Sequence, residues 1–401
     1  MRLAVELYGV LVGHLEGEGS RSFDFTPTPE GQEAFGRNSS VLSLVLPLAP
    51  RLPRQHAGRR RTWFGELLPE GDQLDHMLAQ SGLRRGDALG FLARYGRDVA
   101  GAVQIWDLDD PTEPTVPAAV PLGEAEVREL MEDPMGSPLG NRPTLGKSSL
   151  QGVQPKIVLA REGEQWLQCF GGHPSTHILK PEVGRRPALI FDEEYGLRLA
   201  RRLGLSDFGA EVLSFDGLNA LVIERYDRKG GRRVHQEDLS QALGAELSQK
   251  YQEIGGVVSL RRAAEVVRRH LSDGDLRMLA RLVLFSVAIG NLDLHTKNIS
   301  ILHPMRAPAR LAPAYDPVPM SQYADADGRL ALAVNKKYDL KRVESADLIA
   351  EFSSWGLRGA EGVVWETLEA LAVAVHEESP LDGASPRIQG HIQGLIRRLH
   401  G

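Results

Sequence analysis

The chain is poor in several things whose absence narrows its role. A single cysteine, Cys169, rules out an intrachain disulfide framework and suits a reducing compartment. No uninterrupted apolar run approaches the about 18 residues that a membrane-spanning helix needs. The first ten residues, MRLAVELYGV, alternate apolar with polar and carry Glu6 where a signal peptide would be apolar. A cytoplasmic protein without a membrane partner is the expectation. A basic surplus is missing too: the net charge of −6 argues against general nucleic-acid binding. No internal repeat recurs at a fixed period. What remains, 42% hydrophobic and 25% charged residues, is the balance of an ordinary globular protein, and 401 residues are too many for one core.

Residues 1–107 read as a compact α+β unit. Leu3, Val5, Leu7 and Val10, Val12 flank Tyr8-Gly9, a hairpin signal. Further strands are expected over 23–25, 41–46 and 98–105, with a helical passage from Trp63 to about Leu92. The arginine-rich stretch 51–61 reads as an exposed loop rather than a nucleic-acid patch. Residues 108–147 form a linker that is acidic and proline-rich at its start, with a short helix over 124–132. The second domain, 148–401, opens with a strand-rich half (148–234). Hairpins are expected around Glu162-Gly163 and Asp216-Gly217, a strand over 176–180 and a helix over 191–203. The half from 235 onward is mainly helical.

The sharpest signal lies in 281–302, RLVLFSVAIGNLDLHTKNISIL. An apolar helix stops at Gly290-Asn291, offers Asp293, His295, Lys297 and Asn298, and passes at once into a strand over 299–302. Asp293 and Asn298 stand five residues apart, the offset between the base and the metal-binding asparagine of a protein-kinase catalytic loop. Asp316, eighteen residues beyond Asn298, is the candidate second metal carboxylate. Mg²⁺ takes hard oxygen donors and keeps several waters, so one amide and one carboxylate beside nucleotide phosphates suffice. The bland alternative is a polar helix cap in a helical domain.

Other motifs carry less. Residues 140–148, GNRPTLGKS, imitate a phosphate loop but hold one residue too many between the glycines and lack a preceding strand, which rejects a Walker site. Cys169, His173 and His177 recur every fourth residue, yet Gly171, Gly172 and Pro174 preclude a helix and no fourth zinc ligand follows. Gly152, in SLQGVQPK (149–156), permits a backbone nest for phosphate just before a strand. Lys180 at a strand end and Glu194 on the next helix resemble the lysine that grips nucleotide phosphates in kinases and the glutamate that holds that lysine. Alone, the Gly152 segment reads equally well as an ordinary loop, and a solvated strand-end lysine and a surface glutamate are the better reading of Lys180 and Glu194.

Together the segments resemble the HipA family of bacterial serine/threonine kinases, the toxin halves of toxin–antitoxin pairs. The resemblance rests on FGELLPE (64–70), VAGAV (99–103), SLQGVQPK (149–156), THILKP (176–181), EYGLRLA (194–200), LVIERYDR (221–228), HQEDLSQALG (235–244), IGNLDLHTKN (289–298) and PAYDPVPM (313–320). It implies an α+β protein whose small N-terminal domain packs on a two-lobed, protein-kinase-like core, ATP lying between the lobes and the C-terminal lobe helical. Carried over by position, Asp293 is the catalytic base, Asn298 and Asp316 bind Mg²⁺, and Lys180 contacts phosphate. Glu224, Arg225 and Tyr226 border the adenine, and His295 and Lys297 lie near the nucleotide. Ser149, Gly152, Val153, Gln154 and Lys156 belong to the phosphate loop. Ser149 matches the family's autophosphorylated serine, with Ser148 the adjacent alternative. The implied partners are a HipB-like helix-turn-helix antitoxin, through which DNA is met, and a protein substrate, aminoacyl-tRNA synthetases being among the family's targets. The rivals are a kinase-like corepressor that has lost catalysis and a small-molecule kinase. The sequence has no G-x-G-x-x-G, D-F-G or A-P-E, and Tyr315-Asp316-Pro317 stands at the second metal position.

Overall fold

The structure, a computed structural model, describes residues 1–17, 22–113, 116–134, 139–141, 148–150, 154–182 and 186–401, the side chain of residue 247 apart. Two compact units emerge. The first comprises Met1–Pro181, Leu213–Glu237 and Leu302–Ala307; the second comprises Glu182–Val212, Asp238–Ile301 and Pro308–Gly401. Among the described residues no helix is long and apolar enough to cross a membrane.

In the first unit, strands β1 (Arg2–Leu7), β2 (Val10–Gly17), β3 (Phe23–Pro27) and β4 (Val103–Asp107) form an antiparallel sheet in the order β3-β2-β1-β4. Tyr8 and Gly9 both have positive φ, 55° and 81°. That is the two-residue turn whose twist matches a tight hairpin. Alternation puts Leu3, Val5 and Leu7 on the buried face, against Phe25, Trp63 and Phe64. Helix α1 (Pro29–Phe35) follows the sheet, and α2 (Ala57–Gly65), α3 (Gly71–Ser81) and α4 (Ala88–Tyr95) supply the helical passage.

Three expectations are corrected here. Residues 41–46 are not a strand: Leu42 and Leu46 are buried, but the backbone is irregular and the Leu44 N–H donates to Glu237 Oε1 at 2.8 Å. The arginine-rich stretch is not simply an exposed loop. It runs into α2, where Arg60 is buried and bonds both carboxylate oxygens of Asp24 at 2.6 and 2.7 Å. The strand expected from 98 begins only at Val103, because Asp98 to Gly101 serve another network described below.

The proline-rich linker holds a strand after all. β5 (Ala118–Leu122) joins β6 (Ile157–Glu162), β7 (Gln165–Phe170), β8 (His177–Pro181), β9 (Ala210–Phe215) and β10 (Leu218–Glu224) in the order β5-β7-β6-β8-β10-β9. Helix α5 (Glu124–Glu132) buries Val127 and Met131 in a core with Ile157, Leu159, Leu179 and Val222. A small hairpin, β11 (Arg228–Lys229) with β12 (Arg232–Arg233), follows.

The second unit begins with α6 (Leu189–Arg202). β13 (His235–Asp238) ends on Asp238, whose side chain caps α7 (Leu239–Leu243) by accepting from the Gln241 N–H. Helices α8 (Leu260–His270) and α9 (Asp273–Ile289) come next, then strands β14 (Ser300–His303), β15 (Arg310–Leu311), β16 (Arg329–Val334) and β17 (Lys337–Asp339). Helices α10 (Ser345–Ser354), α11 (Ala360–Glu377) and α12 (Ile388–His400) close the chain. From Leu282 to Ile289 every residue of α9 is buried, and all but Ser286 are apolar, as suits a segment enclosed by α8, α11 and α12.

Candidate active site

The site grows out of the end of α9. Gly290 has φ 75°, its N–H meets the Val287 carbonyl at 3.2 Å, and the Asn291 N–H meets Ser286 at 2.8 Å. This double closure is the left-handed helix stop that glycine favours. Space demands glycine as well, since a Cβ there would lie 2.0 Å from Ser321 Oγ.

The chain then folds on itself. Asn291 Oδ1 accepts from the Asp293 N–H at 3.0 Å. The Asp293 carbonyl accepts from the His295 N–H at 2.8 Å and from Asn298 Nδ2 at 2.9 Å. Thr296 Oγ1 is pinned to Ser240 Oγ on α7 at 2.7 Å. With its backbone so occupied, the loop turns the Asp293 carboxylate outward, its side chain 41% exposed against 7% for His295. Tyr251 donates its hydroxyl to Asp293 Oδ1 at 3.1 Å, and its ring meets the His295 ring edge-on at 5.3 Å. His295 Nε2 stands 3.8 Å from Asp293 Oδ2. An oriented, accessible carboxylate beside an imidazole is suited to taking a proton from a hydroxyl.

Asp316 is held to the same loop through its neighbour. The Tyr315 hydroxyl donates to the Lys297 carbonyl at 2.6 Å and lies 2.6 Å from Ser300 Oγ, bracketing Asn298. Asp316 itself has φ 57°, a left-handed conformation uncommon for a side-chain-bearing residue and concentrated at functional sites. Pro317 follows, and its carbonyl presses onto α6 where Gly196 leaves room: a Cβ at 196 would lie 1.9 Å from the Pro317 oxygen. Among the described residues no group of three or more His, Cys, Asp or Glu is arranged around a metal. The donor set here is smaller and different. With Nδ2 committed to Asp293, Asn298 has its Oδ1 to offer, and Asp316 adds a carboxylate, hard donors that fit Mg²⁺ when phosphates and water complete the shell.

Helix α6 is fixed by buried acids. Asp192 accepts from the Ser385 N–H at 2.8 Å, Ser385 Oγ at 2.6 Å, Gln322 Nε2 at 3.0 Å and the Tyr323 hydroxyl. Glu194 is spoken for within its own helix: Arg198 bonds Oε1 at 3.0 Å and Oε2 at 2.9 Å. The neighbouring Glu193 is wholly buried.

The remaining expected residues lie in the first unit. Lys180 is buried on β8 and pairs with Leu221 of β10, while Ile157 of β6 pairs with Leu179. Lys156, also buried, immediately precedes Ile157, so antiparallel register brings two lysines to neighbouring strand ends. Gln154 is half-buried; Gly152 and Val153 lie outside the described residues. Ser149 is fully buried, its N–H donating to the Asp98 carbonyl at 3.0 Å and its hydroxyl to the Leu67 carbonyl at 3.0 Å. Ser148 is clasped by Asn141, which accepts its N–H at 2.9 Å and donates to its carbonyl at 2.8 Å.

Around the expected adenine border the side chains divide. Glu224 is exposed, and Tyr226 bonds Gln236. Arg225 turns its guanidinium inward to bond Asp227 Oδ1 at 2.9 Å, Ser175 Oγ at 2.8 Å and the Val99 carbonyl at 3.0 Å. Asp98 receives Arg228 at 2.9 Å, Ser175 Oγ at 2.6 Å and Arg233. The three arginines hold the Asp98 carboxyl far below the usual range despite its burial, and Arg225 with Arg228 brings Asp227 to about 2. Burial and the Arg225 charge lower Arg228 to about 10. Sequence reading missed this network, together with Tyr251, Tyr315 and Gly196. Tyr315 and Gly196 stand in motifs quoted above, whereas Tyr251 stands in none and meets Asp293 from 42 residues away.

The HipA N-terminal domain model matches residues 3–106 and the HipA-like C-terminal domain model matches residues 148–378. A candidate kinase of Sinorhizobium fredii is 32% identical across 404 aligned positions, covering 93% of this chain and 94% of that protein. The serine/threonine-protein kinase toxin HipA of Shewanella oneidensis is 29% identical over 338 positions, covering 78% of this chain and 75% of its own. A solved Shewanella oneidensis complex of HipA, HipB and operator DNA superposes with a TM-score of 0.81 at 25% identity, covering 99% of this chain and 96% of the other. From its N-terminal strands to its helical second half, the chain belongs to the HipA family and has that family's kinase-like fold.

Proposed function

We propose that this protein is an ATP- and Mg²⁺-dependent serine/threonine kinase, the toxin of a HipBA-type toxin–antitoxin pair, acting in the cytoplasm on a protein substrate and on its own Ser149. The observation that carries this reading is the 291–298 loop, whose internal hydrogen bonds present Asp293 outward and bring Asn298 beneath it. Asp293 accepts the proton of the acceptor hydroxyl as that oxygen bonds the γ-phosphorus of ATP and ADP departs. Such a base is worth ~10²–10⁴ in rate. Asn298 and Asp316 hold Mg²⁺, which supplies neutralising charge at the phosphates when bound. Lys156 and Lys180 add positive charge for the same groups, with His295 and Lys297 near the transferred phosphate. The backbone at 224–226 borders the adenine.

Ser149 is the self-modified residue, and its setting explains a switch. Its hydroxyl faces the Leu67 carbonyl inside the protein. A phosphate there adds nearly two negative charges against a carbonyl oxygen, which favours release of the loop and loss of activity. The solved relative's complex with HipB and operator DNA supports a HipB-like antitoxin as partner, with DNA reached through it. An aminoacyl-tRNA synthetase is the substrate class the family suggests.

Incubation with labelled ATP and Mg²⁺, followed by peptide mapping, tests the reading. Phosphate is expected on Ser149 in the wild type and nowhere in Asp293→Asn, with nucleotide binding retained by the variant. Labelled Asp293→Asn protein removes Asp293 as base; wild-type label only at other residues removes Ser149 as the site.

A further inference from the structure

The end of α9 is also held from the C-terminal part of the chain. Ile388, Ile392, Ile396 and Leu399 bury one stripe of α12. His391 and Leu395, four residues and so one turn apart, share a face of that helix and meet the α9 stop in different ways. Leu395 packs on Gly290 directly, since a Cβ at 290 would lie 3.0 Å from its Cδ1. His391 acts through a third residue: its Nε2 lies 2.7 Å from Ser321 Oγ.

Ser321 is wedged between α12 and the end of α9. Its N–H donates to the Gly290 carbonyl at 2.9 Å, and its Oγ fills the space that a Cβ at 290 would need. The two groups it joins are both close along the chain. Asp293 comes three residues after Gly290, and Asp316 comes five residues before Ser321. The path from Asp316 to Ser321 is stiff as well as short. Pro317 and Pro319 each fix a φ angle, and the Val318 N–H closes back on the Asp316 carbonyl at 3.1 Å. Gln322 and Tyr323 tie this segment to Asp192 on α6, whereas Ser321 ties it to α9.

We infer that His391 and Ser321 are positioning residues for phosphoryl transfer: the imidazole fixes Ser321, and Ser321 holds the Asp316 segment in register with the Asp293 loop. The inference rests on the kinase reading and adds α12 to the parts that set the separation of base and metal carboxylate. Without the imidazole, the Ser321 hydroxyl turns freely and its backbone bond to Gly290 carries the link alone. Asp316 and Asp293 then sample a wider range of separations, and fewer of them suit an in-line transfer, whose rate depends on close alignment of the reacting groups.

The rate of Ser149 labelling by the full-length protein at saturating Mg·ATP tests this. Rates are normalised to nucleotide sites titrated by calorimetry, so that unfolded chains do not count. His391→Phe keeps the bulk of the ring and removes the hydrogen bond; Ser321→Ala removes its other end. Each is expected to slow labelling about tenfold, the scale of one hydrogen bond, with ATP affinity little changed. The double variant is expected to be no slower than either single one, because all three lack the same bond. His391→Gln, whose amide reaches the position of Nε2, is expected to recover most of the rate. Wild-type rates in the single variants, a loss confined to ATP affinity, slowing that multiplies in the double variant, or no recovery in His391→Gln overturns the assignment. Absence of label on wild-type Ser149 overturns the kinase reading instead. Hydrogen exchange at the Ser321 amide then decides the link without catalysis: exchange about tenfold faster in His391→Phe supports it, and unchanged exchange overturns it.

Discussion

Gly196 on α6 and Pro317 lie so close that any side chain at 196 would meet the Pro317 carbonyl, with a Cβ at 1.9 Å. The contact sets the path of the chain immediately after Asp316, whose backbone is already in the left-handed region. α6 is not free to yield, because Asp192, Tyr195 and Arg198 bond it to Ser385, Glu378 and Ser379.

Gly196→Ala therefore moves Asp316 rather than the helix. Overpacking of this kind costs on the order of 1–3 kcal/mol. The expected result is a Mg²⁺ requirement shifted to higher concentration, with ATP binding in the absence of metal little changed. Calorimetric ATP titrations at several Mg²⁺ concentrations read this out, and an unaltered Mg²⁺ dependence would contradict the placement of Asp316 as a ligand.

Asp98 anchors the root of the Ser149 segment twice over. Its carboxylate holds Arg228, Arg233 and Ser175, and its carbonyl receives the Ser149 N–H at 3.0 Å. Removing one partner of a buried ion pair leaves an uncompensated charge and costs roughly 3–5 kcal/mol. Asp98→Asn is expected to lower the melting temperature and to speed hydrogen exchange at the Ser149 amide. Exchange as slow as in the wild type would show that the carboxylate network does not secure this segment.

His235 makes acid stability predictable. Its Nε2 lies 2.7 Å from the Leu42 carbonyl and its Nδ1 accepts from the Ala102 N–H, an arrangement for the neutral ring. Burial first, and the nearby His303 second, lower it to about 4. In the unfolded chain the ring binds its proton near pH 6.5. The unfolded state thus binds more protons between these values, and stability falls as pH drops from about 6.5 to about 4, by roughly 3 kcal/mol. Asp98 and Glu237, both held below their ordinary values, add their own losses as pH falls through their unfolded values of 3.8 and 4.5, so Glu237 contributes at the acid end of this range. Urea midpoints followed across pH 7 to 4 should decline in the wild type and flatten in His235→Gln; parallel curves would assign the loss elsewhere.

Much of this architecture was legible before any coordinates. The Tyr8-Gly9 hairpin, the helix over 124–132 and the stop at Gly290 follow from residues a few positions apart, where local turn and capping chemistry decides the outcome. Where sequence reading failed, a distant partner overrode the local pattern. Residues 41–46 look like a strand, yet Ser43 and Leu44 bond Glu237, nearly two hundred residues away. Arg60 looks solvated until Asp24 meets it.

The candidate site divides in the same way. Sequence alone determined which chemical groups are present and in what order, because the spacing of Asp293, His295 and Asn298 lies within one short loop. Only the tertiary structure decided what each side chain faces: Tyr251 on Asp293, Asp98 on Arg225, and the Pro317 carbonyl against Gly196. Hydrogen bonds, ion pairs and steric contacts act over a few ångströms of space, and the chain that brings their partners together is folded from segments tens to hundreds of residues apart.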